Sequence, residues 1–95
     1  MITVSVRRNG ITASGHAGYA PRGQDIVCAA VSTLVKVLIR SIEDLTADKI
    51  EYGIWPGMVD ITYENLSEKS RTLIDSFFLG VCMIAEEYPN HVRIA

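Results

Sequence analysis

The sequence predicts an α+β fold of order β-β-α-β-β-α-β, one sheet with two helices packed against it. Three observations carry this. Two pairs of strand-like runs each flank a tight-turn signal, Asn9-Gly10 and Pro56-Gly57. Two longer stretches, one opening at Asp25 and one at Ser67, repeat apolar residues at about 3.6-residue spacing. Both helical stretches follow a hairpin, so each has a sheet face to cover.

Ile2 to Val6 alternates apolar and polar, and so does Ile11 to Ser14. Asn9-Gly10 between them predicts a type I′ turn, because both residues tolerate the positive φ it demands. Gly15 to Gln24 holds three glycines and a proline, which suits a loop and neither a helix nor a central strand. Asp25 is placed to cap the first helix by accepting from free N–H groups of its first turn. Its predicted buried face runs through Ile26, Ala30, Leu34, Val37/Leu38 and Ser41/Ile42, ending near Leu45. Lys49–Trp55 and Met58–Glu64 form the second hairpin around Pro56-Gly57. Ser67 caps the second helix, whose apolar positions are Leu73, Ile74, Phe77, Phe78, Val81, Ile84, Ala85 and Tyr88. Pro89 cannot continue it, and His91 to Ile94 reads as a short last strand.

The 95 residues suit a single domain over 1–95. Apolar residues make up 48% of a chain whose core must be modest, which points to apolar surface left for a partner subunit. With 9 Lys and Arg against 11 Asp and Glu, the net charge is −2, and Arg7-Arg8 is the one adjacent basic pair. Such a surface offers little hold for nucleic acid or an anionic membrane. Two cysteines do not make a disulfide scaffold, and MITVSVRRNG is not a signal peptide, so a cytoplasmic, reducing setting is expected. The longest apolar stretch, Phe77 to Ala85, is far short of the roughly 20 residues a membrane span requires.

Cys28 falls in the first turn of the first helix, where free N–H groups and the macrodipole favour a thiolate over a thiol. His16 stands just upstream, where a strand runs into the glycine-rich loop. A strand end and a helix start joined by a loop can bring thiol and imidazole within reach, the arrangement of a cysteine hydrolase. The alternative is that Cys28, followed by Ala-Ala-Val, only fills the core. Asp25 is either a helix cap or a third member that orients His16. Gly15, Gly18 and Gly23 suit a loop ordered by substrate or a passive connection. Ser32, one turn after Cys28, either lines the site or bonds the backbone one turn back. Backbone N–H groups at the helix start, that of Cys28 included, with a loop glycine as second donor, form the expected oxyanion site. Cys28, Cys82, His16 and His91 lack metal-ligand spacing, so no metal or cofactor is expected. Cys82 reads as a packed thiol, His91 as a surface or strand-end residue, and Trp55-Pro56-Gly57 first as a hairpin corner, with an exposed tryptophan contact with a partner as the second reading.

Gly15-His16-Ala17, a glycine-rich loop, and Gly23-Gln24-Asp25-Ile26-Val27-Cys28-Ala29-Ala30-Val31-Ser32 resemble the ribosomal-processing cysteine protease family (Prp, or YsxB-like). The resemblance extends over the whole chain. It implies a homodimeric cysteine endopeptidase that removes a short N-terminal extension from large-subunit ribosomal protein number twenty-seven. The resemblance also implies that phages of hosts carrying the enzyme exploit the same activity on capsid and scaffold precursors, and that some encode relatives of it. The family's nucleophile maps onto Cys28, its base onto His16, and the acidic residue of its Asp-x-x-Cys motif onto Asp25. The competing expectation is a non-catalytic dimeric module bound to a ribosomal or capsid precursor.

Overall fold

The computed structural model describes residues 1–95. Its elements are β1 (Ile2–Arg7), β2 (Gly10–Ser14), α1 (Ile26–Leu45), β3 (Ile50–Trp55), β4 (Met58–Tyr63), α2 (Glu68–Glu87) and β5 (Val92–Ile94), in the expected order. They form one five-stranded sheet, β3-β4-β2-β1-β5. Neighbours are antiparallel except β1 and β5, which run parallel. The sheet is therefore mixed. Helix α2 carries the chain from β4 across the sheet to β5, which runs in the same direction, as a parallel return requires.

The first turn departs from the type I′ expectation. Neither Asn9 nor Gly10 has positive φ. Arg7 pairs with Gly10, so Arg8-Asn9 makes the connection and Gly10 opens β2. Glycine serves there as space, not as a turn former: a Cβ would stand 2.8 Å from the Ile61 carbonyl oxygen on β4. The second turn keeps its expected chemistry. Pro56-Gly57 lies between paired Trp55 and Met58, with Gly57 at φ +73. Proline then glycine at the central positions suits a type II turn.

Strand alternation divides the sheet into two faces. Val4, Ile11, Ile61 and Val92 are buried under the helices, while Thr3, Ser5, Thr12 and Thr62 lie on the other face by register. From above, Val27, Val31, Val35 and Ile42 of α1 meet Ile74, Phe77 and Val81 of α2 in the same core. Burying each such aliphatic side chain contributes roughly 1.5–3 kcal/mol.

The buried stripe of α1 is Val27, Val31, Val35, Leu38, Ile39 and Ile42; of the expected face it keeps Leu38 and Ile42, while Ile26 and Val37 are 57% and 53% exposed. Helix α1 is apolar on more than one side. The sheet receives the stripe that is aliphatic throughout, rather than the one that includes Ala30 and Ser41. Leu34 instead meets α2 at Gly80, where a Cβ would lie 3.1 Å from a Leu34 methyl. This rotation turns Cys28 and Ser32 away from α2 toward the tip of the β3–β4 hairpin, where they share a groove with it. No helix is long and apolar enough to cross a membrane.

Candidate active site

The site is built on the first turn of α1. Asp25 is its N-cap, with extended backbone at φ −86 and ψ 98. One carboxylate oxygen accepts from the N–H groups of Val27 (3.0 Å) and Cys28 (2.9 Å). The other accepts from Tyr19 (3.0 Å) and Ala20 (3.4 Å) in the preceding loop. Asp25 thus ties the loop to the helix and makes no bond to His16. These N–H donors, Cys28 foremost, hold its carboxyl below the ordinary value of 3.8.

One expectation changes as a result. The Cys28 N–H already donates to Asp25, so it is not a free oxyanion donor. A capping carboxylate reaches the second and third N–H of its helix, and Cys28 is the third residue.

The Cys28 side chain is half-buried, in the wall of a groove. Its Sγ accepts a hydrogen bond from the Ala17 N–H at 3.3 Å, and none from the imidazole. His16 follows Gly15, whose φ of +95 turns the chain out of β2. The Gly15 N–H donates to the Gly57 carbonyl at 2.8 Å, tying this turn to the β3–β4 hairpin. The His16 ring stands on Gly57, where a Cβ would come 2.8 Å from Nε2. Only a residue without a side chain lets the imidazole lie there.

Two open grooves meet at these residues. One, of about 510 Å³, runs between α1 and the hairpin tip, with Val31, Val35, Ile54 and Trp55 in its walls. The other, of about 840 Å³, runs along the glycine-rich loop past Gly18, Gly23 and Ala29. His16, Arg22, Cys28, Ser32 and Pro56 line both. Ser32 therefore faces the site, whereas it is Thr33 whose hydroxyl bonds back to the helix, at the Ala29 carbonyl. Gly18 and Gly23 have φ of +67 and +86. Cys82 is a free, half-buried thiol and lines neither groove. No set of three or more His, Cys, Asp or Glu side chains converges to hold a metal.

The cysteine protease Prp family matches this chain over residues 1–93. The chain belongs to the Prp family of cysteine proteases. It is 30% identical, over 99% of its length and 94% of the relative's, to the ribosomal processing cysteine protease Prp of Mycoplasma genitalium. The Staphylococcus aureus Prp is 26% identical over 99% of this chain and 97% of its own. A crystal structure of S. aureus Prp with a covalently linked product peptide superposes at a TM-score of 0.92, covering 99% and 97% of the two chains at 24% identity. A Streptococcus mutans structure superposes at 0.79 with 31% identity, covering 98% and 89%. The chain is thus a peptide hydrolase of this family, and the non-catalytic alternative falls away.

Sequence reasoning missed two contributors. The turn signal of Trp55-Pro56-Gly57 predicts a hairpin corner or a partner contact, and the tip forms one wall of the site. The available signal was the Trp-Pro-Gly turn itself, flanked by Ile54 and Met58, since a turn presenting that much apolar surface has something to cover. His91 reads from sequence as a surface or strand-end residue, whereas its Nδ1 lies 2.9 Å from the Ala17 carbonyl oxygen. Nothing local in Asn90-His91-Val92 marks that contact, which spans most of the chain.

Proposed function

We propose that Cys28 is the nucleophile and His16 the general acid–base of an endopeptidase that trims a precursor of large-subunit ribosomal protein number twenty-seven. The observation that carries this reading is that both side chains line both grooves, so an extended peptide crossing between them passes the sulfur and the imidazole together. The thiolate attacks the scissile carbonyl carbon, forming the C–S bond while the carbonyl π electrons move onto oxygen. As the tetrahedral centre collapses, the C–N bond breaks and His16 imidazolium protonates the leaving amine. Neutral His16 then takes a proton from water as its oxygen adds to the thioester carbonyl; on collapse the C–S bond breaks, the acid product leaves, and the thiolate and imidazolium are restored. The sulfur is held by the Ala17 N–H, and the start of α1 places positive potential behind it. Asp25 acts on this chemistry through the backbone it ties together.

The apolar walls given by Ile54, Val31 and Val35 suit apolar substrate residues on one side of the cleaved bond. The reading places the enzyme in the cytoplasm as a homodimer that holds a protein tail and binds neither nucleic acid nor membrane. Val37 of α1 with Leu79 and Met83 of α2, each more than half exposed, supply apolar surface for a second copy.

Incubation with the ribosomal precursor bearing its N-terminal extension tests the reading. The expected result is truncation by the wild-type chain and none by Cys28→Ala. Truncation that survives Cys28→Ala, or its absence with both, overturns the reading. Cys28-dependent cleavage of a phage capsid or scaffold precursor alone would replace the substrate.

A further inference from the structure

We propose that His91 is a positioning residue for the nucleophile, acting through Ala17. This rests on the reading of Cys28 as that nucleophile. The two polar groups of Ala17 point to different partners. Its N–H donates to the Cys28 sulfur at 3.3 Å, and its carbonyl accepts from His91 Nδ1 at 2.9 Å. A carbonyl oxygen cannot donate, so the proton of this bond lies on Nδ1. Ala17 itself is 2% exposed, and both peptide units therefore swing from one fixed Cα.

The next residue is Gly18, at φ +67 with open space where a Cβ would be. Glycine imposes little of its own on the peptide between residues 17 and 18. Something outside the loop must fix that plane, and His91 does. The preceding peptide is held separately, by the Met1 nitrogen donating to the His16 carbonyl.

His91 is well placed to act as a clamp. Its N–H donates to the Tyr88 carbonyl at 2.9 Å, and its own carbonyl accepts from the Ile2 N–H at 2.8 Å. It is thereby fixed to the end of α2 and to β1, which belong to the core. Its ring meets Tyr19 edge to face, with centroids 5.4 Å apart, and Tyr19 meets Tyr88 at the same separation. The loop strand that carries the sulfur's donor is thus clamped by Asp25 from the α1 side and by His91 from the α2 side. His91 lines neither groove, so it acts on the site through the loop residues it touches, Ala17 by the hydrogen bond and Tyr19 by the ring.

Two substitutions separate the bond from the ring. His91→Phe keeps an aromatic edge for Tyr19 and deletes the donor. His91→Asn loses the ring but keeps an N–H at the position of Nδ1. Peptide cleavage and the rate of Cys28 alkylation by iodoacetamide at pH 6 are measured for both, beside wild type and Cys28→Ala. For His91→Phe the expected result is a kcat lowered on the order of 10-fold, because a misplaced sulfur costs orientation. KM stays near wild type, and alkylation at pH 6 slows in parallel. His91→Asn recovers most of both rates. A His91→Phe chain with wild-type kcat and alkylation, a change confined to KM, or a His91→Asn chain as impaired as His91→Phe each overturns the proposal. Should His91→Phe fail to fold by circular dichroism, His91→Gln takes its place: it carries the amide past the Nδ1 position and is expected to stay impaired. Equal rates for His91→Gln and His91→Asn would then overturn the assignment. If wild type cleaves no faster than Cys28→Ala, the underlying nucleophile reading fails. Wild-type cleavage that exceeds Cys28→Ala and is untouched by His91→Phe sinks the positioning role alone.

Discussion

The starts of the two helices are built alike and do opposite work. Each has a short polar cap, Asp25 for α1 and Ser67 for α2, and in each the third residue carries a nucleophilic atom, Cys28 or Ser70. At α2 the arrangement is closed. Asp48 accepts from the Ser67 N–H (2.9 Å), the Ser67 hydroxyl (2.6 Å) and the Ser70 hydroxyl, and Ser70 is fully buried. At α1 the carboxylate serves backbone alone, leaving the sulfur with one N–H donor, in the wall of a groove that His16 also lines. A helix N-terminus favours negative charge wherever it occurs. What separates a site from a structural knot is whether the third residue's side chain is satisfied by a neighbour beneath the helix, as Ser70 is by Asp48, or left facing a groove.

The largest effects should fall on opposite properties at the two starts. Cys28→Ala lowers cleavage by on the order of 10³-fold or more, since the covalent path is lost, while thermal stability changes little. Ser70→Ala does the reverse. It leaves cleavage near wild type and destabilises the fold by about 1–3 kcal/mol, because a buried partner of Asp48 disappears. Thermal melts and kcat/KM on both variants check this. If Ser70→Ala loses activity in step with Cys28→Ala at a temperature where it is folded, the two starts are not separable.

A smaller effect tests the hairpin tip. Gly57→Ala places a Cβ 2.8 Å from His16 Nε2 at φ +73, so the ring must move and the backbone is strained. Cleavage should fall roughly 10-fold through lost orientation, measurable as kcat. An unchanged kcat would mean the imidazole does not work from where Gly57 holds it.

The smallest effects concern the carboxylates at the two helix starts, Asp25 and Asp48. Asp25 engages donors with both oxygens, and an asparagine has only one oxygen. Asp25→Asn therefore loses either the helix cap or the loop tie, and it should lower both melting temperature and cleavage. Asp48 engages its donors through one oxygen, which asparagine can reproduce, so Asp48→Asn should be the milder change. Hydrogen bonds hold both carboxyls below 3.8, from Cys28 foremost at Asp25 and from the Ser67 hydroxyl at Asp48. A depressed folded value means this stability is present above about pH 3.8 and lost as the pH falls through the folded values. Melting temperatures from pH 7 down to pH 3 should drop below pH 4 in wild type and drop less steeply in Asp48→Asn, which keeps the Asp25 contribution. An equally steep drop in that variant would place the acid sensitivity elsewhere.

Both hairpins, both caps and the order of elements were legible because each has a local cause: alternation, a turn residue, or a capping oxygen beside an apolar repeat. The first turn's conformation was not, because Gly10 answers to Ile61, which arrives from β4. The buried face of α1 was not, because the helix offers two apolar stripes and only the sheet decides between them. At the site, Cys28, His16 and Asp25 were visible by residue type. The hairpin wall and His91 were not, since their relation to Cys28 exists only once the chain has closed.

The most direct measurement is the rate at which iodoacetamide alkylates Cys28 near pH 6, in wild type and His16→Ala, with glutathione as the reference thiol. A dyad predicts that Cys28 reacts faster than glutathione at this pH and loses that advantage when His16 is removed. A Cys28 that reacts no faster than glutathione, or one indifferent to His16, would contradict the account.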